Sequence, residues 1–312
     1  MGLFFDPDFD IETKWGYQAQ HMNNMSSEFK PNQAYTQLKN LVSRKKSHFV
    51  LTSNVDSCFT RSGFDSKFVY TPQGEWTYYQ CLNRCTERSV WPSREMLDKV
   101  IPTIEKGRAK SEVIPKCPYC GAHTFGNVRG GRYSLLRTTT ITRFLTLQNK
   151  TKRVPSGNWF IHTPYAEAQD RFVKWAEKRI KSSDRVVVIE IGAGFNTPTV
   201  TRYPCESFVR ELGKRGALVR INPSDPDVPK DLIHAVGLKH GWNILTKLLS
   251  HEDGDDSTKK TRSGDASAAC ALKKEEEKIS GREDKIYPTE RWKILRSHWG
   301  HFDWRIFMKQ LR

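Results

Sequence analysis

Four cysteines carry the most specific chemistry in this chain. They stand as Cys81-x3-Cys85 and Cys117-x2-Cys120, two claws whose thiolates suit a tetrahedral zinc ion. With all four positions filled by cysteine, no coordination site stays open for catalysis, so the expected role of the metal is structural. The gap between the claws is longer than in the usual ribbon pattern and predicts an intervening loop. Cys58, Cys205 and Cys270 are scattered and read as packing or surface. Seven cysteines in 312 residues do not make a disulfide scaffold, and paired thiolates imply a reducing compartment.

Just upstream of the first claw, "VYTPQGEWTYYQC" (69–81) has strand-forming residues at both ends and Pro72, Gln73 and Gly74 at the break. A titratable group at that turn would point to acid–base chemistry. Gln73 can donate and accept hydrogen bonds but cannot take up a proton. A second polar cluster, "VLTSNVDSCF" (50–59), places Asn54 and Asp56 just past a strand end. Alternation puts both on the same side of an extended backbone, where they can face one ligand. Ordinary turn chemistry is the competing explanation.

The elements that must position these residues can be read along the chain. "PNQAYTQLKNLVSRKK" (31–46) sets Ala34, Leu38, Leu41 and Val42 on one helical face, and "HFVLTS" is short and apolar enough for a buried strand. "PYAEAQDRFVKWAEKRIK" (164–181) reads as an amphipathic helix, followed by the β-branched strand "DRVVVIEIGAG" and a glycine turn. "GALVRINPSD" (216–225) is a further strand ending in a turn. "DLIHAVGLKHGWNILTKLL", from 231, predicts one or two further helices. Strand, glycine turn, helix and strand in this order make the rhythm of an α/β, doubly wound Rossmann-like parallel sheet, with ligands bound at the strand ends.

Two stretches break that rhythm. Residues 131–157 carry Arg132, Arg137, Arg143, Lys150, Lys152 and Arg153 with no acidic residue and no apolar periodicity. Residues 251–285 are charged and small and read as a disordered linker. The tail 286–312, with Trp292, Trp299, Phe302, Trp304 and Phe307, is expected to dock back on the domain.

The formal charge of +16 invites a nucleic-acid reading, but a good share of it sits in 131–157, so general nucleic-acid binding is not expected. A basic zinc-containing nucleic-acid binder stays as a lesser alternative. The hydrophobic content of 37% and a mean hydropathy of −0.66 place some segments outside any core. No apolar run reaches about 18 residues, so no membrane span is expected. The start "MGLFFDPDFDIE" is acidic, so no signal peptide is expected. Asp6 stands where a myristoylation signal wants Ser or Thr.

Taken in order, "TSNVD", "PQG", the two cysteine pairs, "EIGAGFNTP" and "RINPSD" are similar to the sirtuins over roughly residues 5–250, apart from 131–157. The usual first motif reads Thr-Gln-Asn-Ile-Asp-Gly-Leu-His. Asn54 and Asp56 match it, whereas Ser53, Ser57 and Phe59 depart from it. At the second motif Gln73 stands where the catalytic histidine would be. This combination most resembles the macrodomain-linked, or class M, sirtuins, which are protein ADP-ribosyltransferases that modify lipoylated carrier proteins.

The resemblance implies an NAD site. Asn54 and Gln73 would be catalytic, Asn54 would contact the nicotinamide ribose and Asp56 the nicotinamide end, and Thr52 and Ser53 would also bind the cofactor. Gly192 and Gly194 would let the backbone approach, with Asn196 or Thr197 nearby, and Asn222 would contact the adenosine ribose. The Gly192–Thr197 stretch departs from the usual Gly-Thr-Ser. It also implies a Rossmann-like domain in two parts, 1–75 and 158–250, with a zinc module at 76–130 inserted between them and the basic insertion at 131–157.

A sirtuin begins with a strand and a glycine-rich loop that cradles the NAD phosphates, and nothing before "HFVLTS" supplies them. The expectation is therefore a gene model lacking its first strand and loop, with 131–157 a translated intron. The function implied is NAD-dependent transfer of ADP-ribose to a protein acceptor, a lipoylated carrier being the candidate, with release of nicotinamide. Losing a general-base histidine costs ~10²–10⁴ in rate, which disfavours deacylation. An NAD-dependent deacylase, and an inactive remnant acting as a protein-interaction module, are the alternatives. A cytoplasmic or mitochondrial location is the expectation that goes with a reducing compartment.

Overall fold

The computed structural model describes residues 8–28, 30–129, 160–196 and 198–241. Thr197, the basic stretch 131–157, the linker 251–285 and the aromatic tail 286–312 lie outside the described residues. So do residues 242–249 of the stretch from 231 expected to form one or two helices.

Helix α1 (Ile11–Asn23) starts at Asp10, whose side chain accepts from the Thr13 N–H at 2.8 Å, satisfying one of the orphan donors of its first turn. Helix α2 (Gln33–Ser43) is capped in the same way by Asn32 and leads into the two-residue strand β1 (Val50–Leu51). The short helix α3 (Cys58–Arg61) follows, and then β2 (Val69–Tyr70), which pairs in parallel with β1.

The chain next builds an antiparallel sheet from β3 (Gly74–Cys81), β4 (Val90–Pro92) and β5 (Thr124–Val128), in the order β4-β3-β5. Helix α4 (Arg94–Val100) lies between β4 and β5 in sequence. Trp15, Ala19 and Met22 of α1 share one core with Trp76, Met96, Leu97, Val100 and Phe125. This burial holds the module together and leaves its cysteine end outside the apolar core.

Helix α5 (Ala166–Lys181) buries Phe172 and Ala176 against Tyr70 and Phe208. It is followed by β6 (Val186–Ile191), α6 (Arg202–Leu212) and β7 (Gly216–Ile221), a strand–helix–strand unit whose two strands pair in parallel. Strand β8 (Ala235–Leu238) adds in parallel to β7. Residues 235–238, expected to be helical, are therefore an extended strand, buried throughout. The fold is α/β: Rossmann-like parallel strands with helical crossovers, and a small antiparallel module inserted between them. Among the described residues the pair β1-β2 and the sheet β6-β7-β8 share no strand pairing.

Candidate active site

The predicted break between β2 and β3 is a tight turn in which the Gly74 N–H donates to the Thr71 carbonyl at 3.0 Å. Gly74 sits at φ +86°, and a Cβ there would lie 2.1 Å from the carbonyl oxygen of Asn127, so both backbone angle and space require glycine. Gln73, at the head of β3, is 9% exposed, and its side-chain oxygen is buried without a hydrogen-bond partner among the described residues. A buried acceptor left unpaired costs free energy, and a hydroxyl donor from a ligand would recover it.

The Asn54–Asp56 loop is tied to this turn. The Trp76 N–H donates to the Val55 carbonyl at 3.1 Å, and the Thr52 N–H to Tyr70 at 3.1 Å. Asn54 and Asp56 line one small cleft together with Thr52, Ser57, Thr71 and Glu75. The two explanations of the motif hold together, because the Asp56 carboxylate also accepts from the Cys58 N–H at 2.9 Å. Ser57 occupies the left-handed region at φ 55°, and its buried hydroxyl is set against the Glu75 carboxylate. Burial, with Asp56 second, pushes the Cys58 thiol up to about 11, so at neutral pH it stays protonated.

Sequence reasoning passed over Glu75, the second residue of β3. Its backbone N–H donates to the Tyr165 hydroxyl at 2.9 Å, and its carboxylate accepts from Thr77 at 3.1 Å. Burial raises its pKa above the ordinary glutamate value. Arg129 was likewise missed. Its guanidinium lies 4.3 Å from the centre of the Phe160 ring, and its backbone N–H holds the Gln73 carbonyl at 2.8 Å. Burial first, and then Arg129, lower the nearby His162 to about 4, leaving it neutral at pH 7.

The residues expected for the other half of the site lie at the carboxyl ends of β6 and β7, the edge where open α/β sheets bind ligands. Gly192 takes φ +67° as the chain leaves β6, and Asn196 is exposed. The Asn222 amide donates to the Ala193 carbonyl at 3.1 Å and accepts from the Ser224 and Asp225 N–H groups at 2.9 Å. It thereby braces the loop that carries Gly192 and Gly194.

The buried Arg202 on α6 finishes that brace, donating to the carbonyls of Ala193, Asp225 and Asp227, with its guanidinium 4.3 Å from the Phe195 ring centre. Beneath it, fully buried Arg220 donates to Glu190 at 3.1 Å and to Glu206 at 2.7 Å. Truncating such a buried charge strands its partners and costs about 3–5 kcal/mol. Neither arginine has a sequence signature, since each reads as an ordinary helix or strand charge.

The four predicted ligands Cys81, Cys85, Cys117 and Cys120 converge, with their sulfurs all within 4.8 Å of one another. The pairs Cys81–Cys120 and Cys85–Cys117 stand 3.5 Å apart. Zinc–sulfur bonds of 2.3 Å in a tetrahedron separate sulfurs by about 3.8 Å, so the cluster fits zinc.

No protein-family model matches the chain. It is 29% identical over 213 residues to a probable bifunctional ADP-ribose hydrolase/ADP-ribosyltransferase of Fusarium oxysporum f. sp. cubense, covering 67% of this chain and 31% of that protein. It is 23% identical over 197 residues to a protein ADP-ribosyltransferase of Staphylococcus aureus, covering 63% of this chain and 54% of that protein. The chain thus spans about a third of one curated relative and about half of the other. Among solved structures it is similar to one described as the structural basis of sirtuin substrate affinity, with TM-score 0.47, 18% identity and coverage of 81% and 82%. It is also similar to Sir2 bound to acetylated peptide, with TM-score 0.46, 17% identity and coverage of 77% and 78%. Both sequence relatives carry ADP-ribosyltransferase in their names, the activity that the resemblance of the motifs implies.

Proposed function

We propose that the protein is a sirtuin-type ADP-ribosyltransferase that moves ADP-ribose from NAD to a protein acceptor, a lipoylated carrier being the candidate. The observation that carries this reading is Gln73: a buried side-chain oxygen without a hydrogen-bond partner among the described residues, on an amide that cannot titrate, between two cleft residues in sequence, Thr71 and Glu75. The residues present fit a polar dinucleotide. Polar side chains, Thr52, Asn54 and Asp56, line the cleft past β1, and a left-handed glycine loop, braced by Asn222 and Arg202, stands at the β6 end. Two sequence relatives bear the transferase name, and one of them names protein as what it modifies.

Bound NAD would supply an electrophilic ribose carbon with nicotinamide as its leaving group. Gln73 would accept a hydrogen bond from a ribose hydroxyl, and Asn54 and Asp56 would orient the nicotinamide end. The Gly192–Asn196 loop and Asn222 would hold the adenosine end. Because Gln73 takes no proton, the chemistry favours a nucleophile brought by the acceptor over hydroxyl-assisted deacylation. Zinc on the four cysteines would hold β3 and β5 in register behind the cleft.

The reading is tested with adenine-labelled NAD and a lipoylated carrier beside its unlipoylated form. Label on the lipoylated carrier is the expected result. Label on both carriers would keep the transferase and discard the lipoyl preference. Deacylation of an acyl-lysine peptide without label transfer would replace the reading with a deacylase.

A further inference from the structure

We propose that Glu75 is the catalytic residue that takes the proton from the acceptor nucleophile during ADP-ribosyl transfer. The inference rests on the transferase reading above and assigns the one step that reading leaves without a residue. As the acceptor's X–H atom bonds to the ribose C1′, the C1′–nitrogen bond breaks and its electron pair leaves with neutral nicotinamide. The acceptor's proton passes to the Glu75 carboxylate and from there to solvent.

The cleft narrows the choice of base by elimination. Gln73 has no basic atom of useful strength. Asp56 is already engaged in the backbone, its carboxylate accepting from the Cys58 N–H at the start of α3. Tyr35, placed among Asn54, Asp56 and Cys58, is raised by burial first and then by Asp56. Cys58 is raised as well, so both keep their protons at neutral pH and neither serves as a base. Glu75 is left. It lines the same cleft as Asn54 and Asp56, and its pKa is raised by burial first, with Asp56 adding to the shift, against the hydroxyls of Thr77, Ser57 and Thr71. A carboxylate moved toward neutrality is a better general base than one at its ordinary value.

Its placement is also built. The Tyr165 hydroxyl fixes its backbone N–H at 2.9 Å, and Thr77 holds one carboxylate oxygen at 3.1 Å. Tyr165 in turn donates to the Asn127 carbonyl at 3.3 Å. The carboxylate is therefore held by Thr77 of its own strand, and the backbone that carries it is fixed by Tyr165, the kind of support a proton-transfer group requires.

The test compares the full chain with Glu75→Gln and Glu75→Asp. NAD affinity is measured by calorimetry, and labelled transfer is followed between about pH 4 and 9. The Glu75 carboxyl is titrated in the ligand-free protein by carbon-13 NMR, with the Glu75→Gln spectrum giving its assignment. Glu75→Gln is expected to bind NAD within about threefold of the parent, to lose about 10²–10⁴ in transfer rate and to lose the acid limb of the profile. Glu75→Asp restores part of the rate, and the Glu75 carbon titrates above an ordinary glutamate. Parent-like transfer and an unchanged acid limb in Glu75→Gln would overturn the proposal and leave the transferase standing. A Glu75 titration at or below the ordinary value would also overturn it, even if the glutamine variant failed to fold. Failure of the parent itself to release nicotinamide from NAD would overturn the transferase reading, and this proposal with it.

Discussion

The Glu75 N–H and the Tyr165 hydroxyl meet at 2.9 Å across 90 residues of sequence, joining the first residues of the inserted antiparallel sheet to the turn that opens α5. Tyr165 is 4% exposed. Removing its hydroxyl strands a backbone donor and the Asn127 carbonyl together. Tyr165→Phe is expected to lower stability by about 1–3 kcal/mol, read from urea unfolding, and to slow transfer by loosening Glu75. A variant as stable as the parent would show that water replaces the hydroxyl.

Glu75 ties function to stability through pH. Its folded pKa is raised, so the folded state binds its proton more tightly than the unfolded chain does. That contribution is fully present below the unfolded value of about 4.3 and is lost as pH rises through the folded value. Glu75→Gln carries no such dependence. Thermal unfolding should show the variant gaining on the parent at pH 7, with the gain absent at pH 4.

Gln73 separates the two properties in another way. Its side-chain oxygen makes no hydrogen bond among the described residues, so Gln73→Ala should leave the melting temperature almost unchanged. The hydrogen bond it would offer to substrate is worth about 0.5–1.5 kcal/mol, so transfer should fall by up to about tenfold. Loss of stability without loss of transfer would make Gln73 a packing residue.

The cysteine cluster predicts a stoichiometric metal. Metal analysis of the purified chain should find one zinc equivalent, lost in Cys117→Ser. Because a structural site couples metal binding to folding, a chelator should melt the β3-β4-β5 module before the parallel strands. Amide exchange would resolve the order. Full retention of exchange protection in that module after metal removal would contradict a structural role.

Much of this molecule was legible in its sequence for local reasons. The α5 face with Phe172, the β-branched run of β6 and the cysteine claws are short-range patterns, and each forms where expected. Ala235–Leu238 was misread because "DLIHAVGL" spaces Leu232 and Val236 as a helix would. Periodicity does not separate a buried strand from a helix in so short a run, and here pairing with β7 decides. Glu75, Arg129 and Arg202 were hidden for a different reason. A charge in a strand or helix reads as a solvated face, and only contacts with Tyr165, Phe160 and the Ala193 carbonyl, distant in sequence, take these three out of that class.

The central claim is tested most directly by incubating the protein with adenine-labelled NAD, a lipoylated carrier and an acyl-lysine peptide together. Released nicotinamide, label on protein and free deacylated peptide are then measured in the same tube. The account predicts nicotinamide and protein-bound label in equal amounts, with the peptide unchanged. Nicotinamide released in step with deacylated peptide, and no label on protein, would contradict it.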